Sequence, residues 1–140
     1  MHFRAATQED FSEIAMNTHC GQVMDAKGLV IADDKEGELQ AGVIFDSFTM
    51  SSCQAHIYVY NKMALRHGLM YEVANYVFNT CGLQIMFGKV PEDNEKALKL
   101  NRHFGFTEVC RIPDACEIGV GYVILQMRVD DCKYLDKEVH

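Results

Sequence analysis

The chain is poor in the features that mark several common protein classes. None of its apolar runs approaches the ~20 residues a helix needs to cross a bilayer, so no membrane partner is expected. Arg4, Glu9 and Asp10 stand where a secretory leader would carry an unbroken apolar stretch, and the expected location is the cytoplasm in which the chain is made. The 6 cysteines (Cys20, Cys53, Cys81, Cys110, Cys116 and Cys132) form no Cys-x-x-Cys pair, which points to free thiols in a reducing compartment. Of the 6 histidines, no two are spaced i, i+4 as a zinc-binding helix face requires, and no metal is expected. Positive charge is scarce too: 13 Lys+Arg against 20 Asp+Glu leave a formal net charge of -7. That balance argues against a general phosphate-backbone binder and so against nucleic acid, even with Lys96, Lys99, Arg102 and His103 close together.

Internal repeats, low-complexity segments and linkers are missing as well, which predicts a single domain over residues 1–140. With 49% hydrophobic and 24% charged residues, a chain of 140 can bury a sizeable core without staples.

The most informative stretch is Asn94 to Phe106, NEKALKLNRHFGF. Asn94 suits an N-cap, since its side-chain oxygen can accept from a free backbone N–H, and Glu95 places negative charge in the first turn. Ala97, Leu100 and Phe104 share a helical face, and Gly105 can turn left-handed to end the helix before an apolar run resumes at Phe106. Elsewhere Phe3–Ala6 reads as a strand and Glu9–Asn17 as a helix, with Thr7 as a cap. His19–Lys27 lacks a clear period and suits a second short helix or a loop. Leu29–Ala32, Ala41–Met50 and Cys53–Tyr60 read as an antiparallel meander, turned at Asp33–Glu38 and at Ser51-Ser52. Leu69, Val73, Tyr76 and Val77 mark the buried stripe of a helix that Gly82 ends, and Leu83–Val90 follows as a strand. Phe106–Ile112 and Tyr122–Val129 are the last strands, with Pro113–Gly121 between them. Periodicity alone thus predicts a mixed α/β domain.

The string Asn-x-x-Ala-x-x-Leu followed by Gly-Phe resembles the last helix of the GNAT superfamily of N-acetyltransferases. The opening FRAATQEDFSEIA (residues 3–15) is similar to the strand-turn-helix start of that superfamily, and the ending VILQMRVDDCKYL (residues 123–135) to the closing strand and tail of small phage-encoded GNAT-like proteins. The resemblance implies a strongly twisted mixed sheet, splayed between the fourth and fifth strands, with helices on both faces. It also implies acetyl-coenzyme A as co-substrate, lying in the splay. Parted strands leave N–H and C=O groups free, and an amide-rich pantetheine arm can satisfy them as an added strand would. The backbone of Ile57, Tyr58 and Val59 is the implied contact. The pyrophosphate is expected at the start of the following helix, at Arg66, His67, Gly68 and Leu69, and Asn94 is expected beside the arm. This chain has the single Gly68 where the family usually has two glycines, and Asn101 where many members have a tyrosine that protonates the departing thiolate.

Acyl transfer needs a neutral amine, whereas a lysine-type amine with a pKa of ~10.4 is mostly protonated at neutral pH. His56 and Asp46, on the strands before the splay, are the candidate proton acceptors, with Glu117 a further one. The oxyanion would meet a backbone N–H of the fourth strand. Cys53 and His56 do not suggest a thiol nucleophile, because their spacing on a strand sends them to opposite faces. The expected activity is transfer of acetyl to a primary amine of a small molecule or protein. The alternative is an inactive GNAT fold acting as a phage accessory, virion or host-interaction protein, in the host cytoplasm if phage-encoded. A homodimer through the terminal strand near Tyr122–Val129 is a further expectation.

Overall fold

The computed structural model describes residues 1–18 and 26–135. Seven strands form one sheet: β1 (His2–Ala5), β2 (Lys27–Ala32), β3 (Leu39–Asp46), β4 (Ser52–Val59), β5 (Ile85–Pro91), β6 (Thr107–Glu117) and β7 (Val120–Arg128), in the order β1-β2-β3-β4-β5-β7-β6. All neighbours are antiparallel except β4 and β5, which run parallel. Helix α1 is Gln8–Thr18; α2 is Leu69–Ala74 and continues through a wide π turn, Asn75–Thr80; α3 is Glu95–Phe104.

The sheet is covered on both faces. From α1, Ile14 packs against Val30, Leu39 and Ile44 on one side. On the other, Leu69, Val73 and Val77 from α2 and Leu98 and Phe104 from α3 share a layer with Val43, Phe45, Met86 and Leu125. Every residue of β3 is buried, because helices lie above and below it. This double cover matters for the site, since a polar side chain on β3 or β4 is shielded from water whichever way it points.

Local chemistry sets the helix ends. Thr7 Oγ1 accepts from the Asp10 N–H at 3.2 Å and Asp10 Oδ2 accepts from the Thr7 N–H at 2.8 Å, a reciprocal cap for α1. Arg4 forms an ion pair with the same carboxylate. Burial pushes the Asp10 carboxyl up, but the hydrogen bonds from Arg4 and Thr7 outweigh it and hold the group below its ordinary value. At α3, Asn94 Oδ1 accepts from the Ala97 N–H at 3.1 Å, and Gly105 closes the helix in the left-handed region at φ 106°.

Three boundaries differ from the sequence expectation. The third strand stops at Asp46 rather than Met50, because Ser47 turns to φ 51° and leaves residues 47–50 exposed. Gly82 ends the helix as expected, at φ 66° just past Cys81, but β5 begins at Ile85 rather than Leu83. The expected connection Pro113–Gly121 shrinks to Ile118-Gly119, since β6 continues to Glu117; Pro113 is tolerated there because β6 is an edge strand. β7 lies between β5 and β6, so among the described residues the free edges that strand pairing would need are β1 and β6, not Tyr122–Val129. The expected element at His19–Lys27 falls outside the described residues up to residue 25, as does Cys20.

Candidate active site

β4 and β5 pair over only three positions, Ser52 with Ile85, Cys53 with Met86 and Gln54 with Phe87. Beyond them the strands part. On its other edge β4 stays paired with β3 as far as Val59, and β5 stays paired with β7 as far as Pro91. The fork therefore opens within an otherwise continuous sheet, and the β5-facing backbone groups of Ala55–Val59 have no strand partner among the described residues.

A narrow cavity of about 50 Å³ occupies the fork. His56 and Ile57 of β4, Gly88 and Lys89 of β5, Asn17 and Thr18 at the end of α1, and Asn94 and Asn101 of α3 line it. Residues from helices on opposite faces thus meet in one slot through the sheet, an arrangement that only the parted strands allow. Gly88 contributes by being small: a Cβ there would lie 3.3 Å from Asn101 Oδ1, close enough that the Asn101 side chain would have to give way. Asn101 is itself buried, and its Nδ2 donates to the Ala97 carbonyl at 2.8 Å.

His56 and Asp46, expected as alternatives, are partners. Cross-strand register sets Ile44 opposite His56 and Gln54 opposite Asp46, which places both polar residues on the α1 face, one diagonal step apart. His56 Nε2 and Asp46 Oδ2 are 2.7 Å apart, with the two side chains 4% and 8% exposed. Asp46 Oδ1 is buried and has no hydrogen-bond partner among the described residues. Burial pushes the Asp46 carboxyl up, but the hydrogen bond and charge of His56, helped by a hydrogen bond from the Ser47 side chain and by the charge of Lys89, outweigh it and keep the group ionised below its ordinary range. The Lys89 ammonium rests 4.9 Å from the centre of the Tyr122 ring.

The remaining expected residues are more dispersed. Ile57 lines the slot; Tyr58 and Val59 continue the free edge of β4 and pack to opposite faces. Asn94 both caps α3 and lines the slot. Arg66 and His67 are exposed in a short 3-10 turn, Lys62–His67, outside the lining of the slot. Gly68 follows at φ 75° and joins that turn to α2. Leu69 is fully buried, so only its backbone N–H can face a ligand. Glu117 sits at the far end of β6, away from the slot. Cys53 points into the α2 layer, opposite His56, and burial pushes its thiol up to about 12, far from a nucleophile at neutral pH. Among the described residues no group of three or more His, Cys, Asp or Glu side chains could hold a metal ion, and no helix is long and apolar enough to cross a membrane.

Asn17, Thr18, Gly88 and Lys89 were not singled out by sequence reasoning. Gly88 carried a signal, a glycine inside a strand, which often marks close approach of another element. The other three are ordinary surface-type residues whose role depends on where the fork opens.

No family model and no curated protein sequence matches this chain. Solved structures do resemble it. A mutant of the spermidine N-acetyltransferase SpeG from Vibrio cholerae aligns with a TM-score of 0.73 at 15% identity, covering 98% of this chain and 99% of that one. A dodecameric structure of the same enzyme gives 0.70 at 16% identity, with 98% and 97% covered. A putative phosphinothricin N-acetyltransferase gives 0.68 at 18% identity, with 91% and 98% covered. The fold of this chain is that of the GNAT N-acetyltransferases, parallel fork included.

Proposed function

We propose that this protein is an N-acetyltransferase that moves an acetyl group from acetyl-coenzyme A to a primary amine of a small molecule or protein. The observation that carries the reading is the Asp46–His56 pair in the wall of the fork, a proton-accepting group beside free backbone amides. Acetyl-coenzyme A supplies an acetyl group activated as a thioester. The free edge at Ile57–Val59 suits its amide-rich arm, and the slot suits something thin. Gly68 and the first N–H groups of α2, with Arg66 and His67 exposed nearby, are the place for its pyrophosphate. His56 takes the proton that the amine sheds as its nitrogen bonds to the acetyl carbon and the carbon–sulfur bond breaks. Asn101 cannot protonate the departing thiolate, so the proton comes from water or another group. Two of the similar structures are named for spermidine acetylation, which makes polyamines a reasonable first acceptor to try.

Binding is the first test. Acetyl-coenzyme A at a hundredfold excess over its Kd should stabilise the folded state by about 2.7 kcal/mol, a readable rise in melting temperature. Release of free coenzyme A thiol with an amine panel, polyamines included, then reports transfer. No stabilisation at millimolar acetyl-coenzyme A sinks the proposal and leaves the GNAT fold as an interaction scaffold, such as an accessory, virion or host-binding protein.

A further inference from the structure

The buried pair poses an electrostatic problem that an acetyltransfer role for the fork does not by itself solve. Asp46 is an ionised carboxylate at the end of β3, its side chain 8% exposed; His56 holds Oδ2, the Ser47 side chain helps to keep the group ionised, and Oδ1 has no hydrogen-bond partner among the described residues. A buried charge with half its acceptor capacity unused is poorly compensated, and leaving it so is costly. A carboxylate with an ordinary structural role would be expected to gather donors to both oxygens.

The atoms define the imidazole's state. An ionised carboxylate can only accept, so the nitrogen 2.7 Å from it, Nε2, must carry a proton. In the neutral ring Nδ1 is then the bare nitrogen. Among the described residues Nδ1 has no hydrogen-bond partner, and His56 lines the slot.

We propose that Asp46 is a positioning residue for His56: it holds the neutral imidazole with Nε2–H toward β3 and the Nδ1 lone pair toward the fork, and it stabilises the imidazolium formed when Nδ1 takes a proton. The inference rests on the acetyltransferase reading for its purpose but not for its geometry. In the transfer step the amine's proton moves to Nδ1, Nε2 keeps its own, and the positive charge is shared with a carboxylate that was undercompensated beforehand. The proton later leaves from Nδ1 to solvent through the slot. Asp46 is not itself the base, since it lies behind the ring and its near oxygen is already engaged.

The other groups around the ring are few. From β5 the cation Lys89 lines the same slot, and its charge opposes imidazolium formation. On β4 itself Cys53 and Tyr58 flank His56, the first on the opposite face and the second near Glu13 of α1. Asn17 and Thr18 of α1 and Asn94 and Asn101 of α3 carry no charge. Asp46 is thus the only carboxylate of β3, β4, β5 or α3 hydrogen-bonded to His56 among the described residues.

The experiment is a nitrogen-15 NMR titration of the histidine side chains in the full-length protein, with His56→Gln to assign the signal. Wild type should show neutral His56 as the Nε2–H tautomer. In Asp46→Ala, where no acceptor holds Nε2–H, the neutral ring should lose that preference and populate the Nδ1–H tautomer as well. Acetyl transfer should fall with it, whereas a merely structural role would lower the rate and leave the tautomer of the folded variant unchanged. An Nδ1–H tautomer in wild type overturns the proposal without any variant, and so does an unchanged Nε2–H tautomer in a folded Asp46→Ala. The NMR result is independent of turnover. Correct tautomers with no transfer to any amine would uphold the pair and count against the acetyltransferase reading alone.

Discussion

Replacing Asn94 with alanine removes the acceptor of the Ala97 N–H, and denaturant melts should show a loss of about 0.5–2 kcal/mol. Asn94→Asp should keep most of that stability, because a carboxylate oxygen caps as well; a neutral Asn94→Ala would mean that the cap contributes nothing. His56→Gln should leave acetyl-coenzyme A binding intact and slow transfer by on the order of 10²–10⁴-fold. That loss should shrink as pH rises toward the amine's own pKa of ~10.4, where the acceptor loses its proton unaided; rates equal to wild type from pH 6 to 9 would reduce His56 to a packing residue. At Asp10 the sign runs the other way from a base. Its carboxyl ionises more readily folded than unfolded, so it stabilises the protein above the ordinary value of 3.8 and that stability is lost as pH falls through the lowered folded value. Asp10→Asn should therefore destabilise the fold at neutral pH and matter progressively less in acid melts below pH 4. Caps such as Thr7 and Asn94 were legible in the sequence because they act within three residues. The contact of Asp46 with His56 was not, since it depends on which residues of β3 and β4 stand opposite each other across the hairpin.

The elements themselves were largely legible, in number and order, because alternation and helical stripes are carried by runs of residues. Their ends were less so. Nothing in Ser47-Phe48-Thr49-Met50 forbids a strand by composition; the positive φ at Ser47 is imposed by the turn. β6 runs past Pro113 because, among the described residues, its outer edge has no neighbouring strand to which an N–H must donate. The start of α2 makes a testable unit. Gly68 holds φ 75°, a conformation that costs an L residue roughly 1–2 kcal/mol and a β-branched one more. Gly68→Val should lower the melting temperature somewhat and, if the N–H groups beyond it face pyrophosphate, weaken coenzyme A binding well beyond that loss. Calorimetric titration of the folded variant decides, and an unchanged affinity would take this turn out of the cofactor site.

At the scale of the molecule, the resemblance of Asn94–Phe106 and of both chain ends to GNAT proteins led to the architecture, and the parallel fork agrees with it. The slot was not legible, because it is assembled from α1, β4, β5 and α3, elements that meet only after folding. The fork has a mechanical consequence. Three parallel residue pairs join the β1–β4 half of the sheet to the β5–β7 half, and past them no strand pairing links the halves among the described residues. Such a seam works as a clasp: the sheet can breathe along it without breaking any other strand pair, and a molecule lying in it would act as the missing strand. Deuterium uptake at the fork-facing amides among residues 55–59, those not paired with β3, should be fast for a central strand and should slow when acetyl-coenzyme A is added, with little change along β2. Equal protection with and without it would show that nothing closes the clasp, and the weakest line in the sheet would then be open in the working protein.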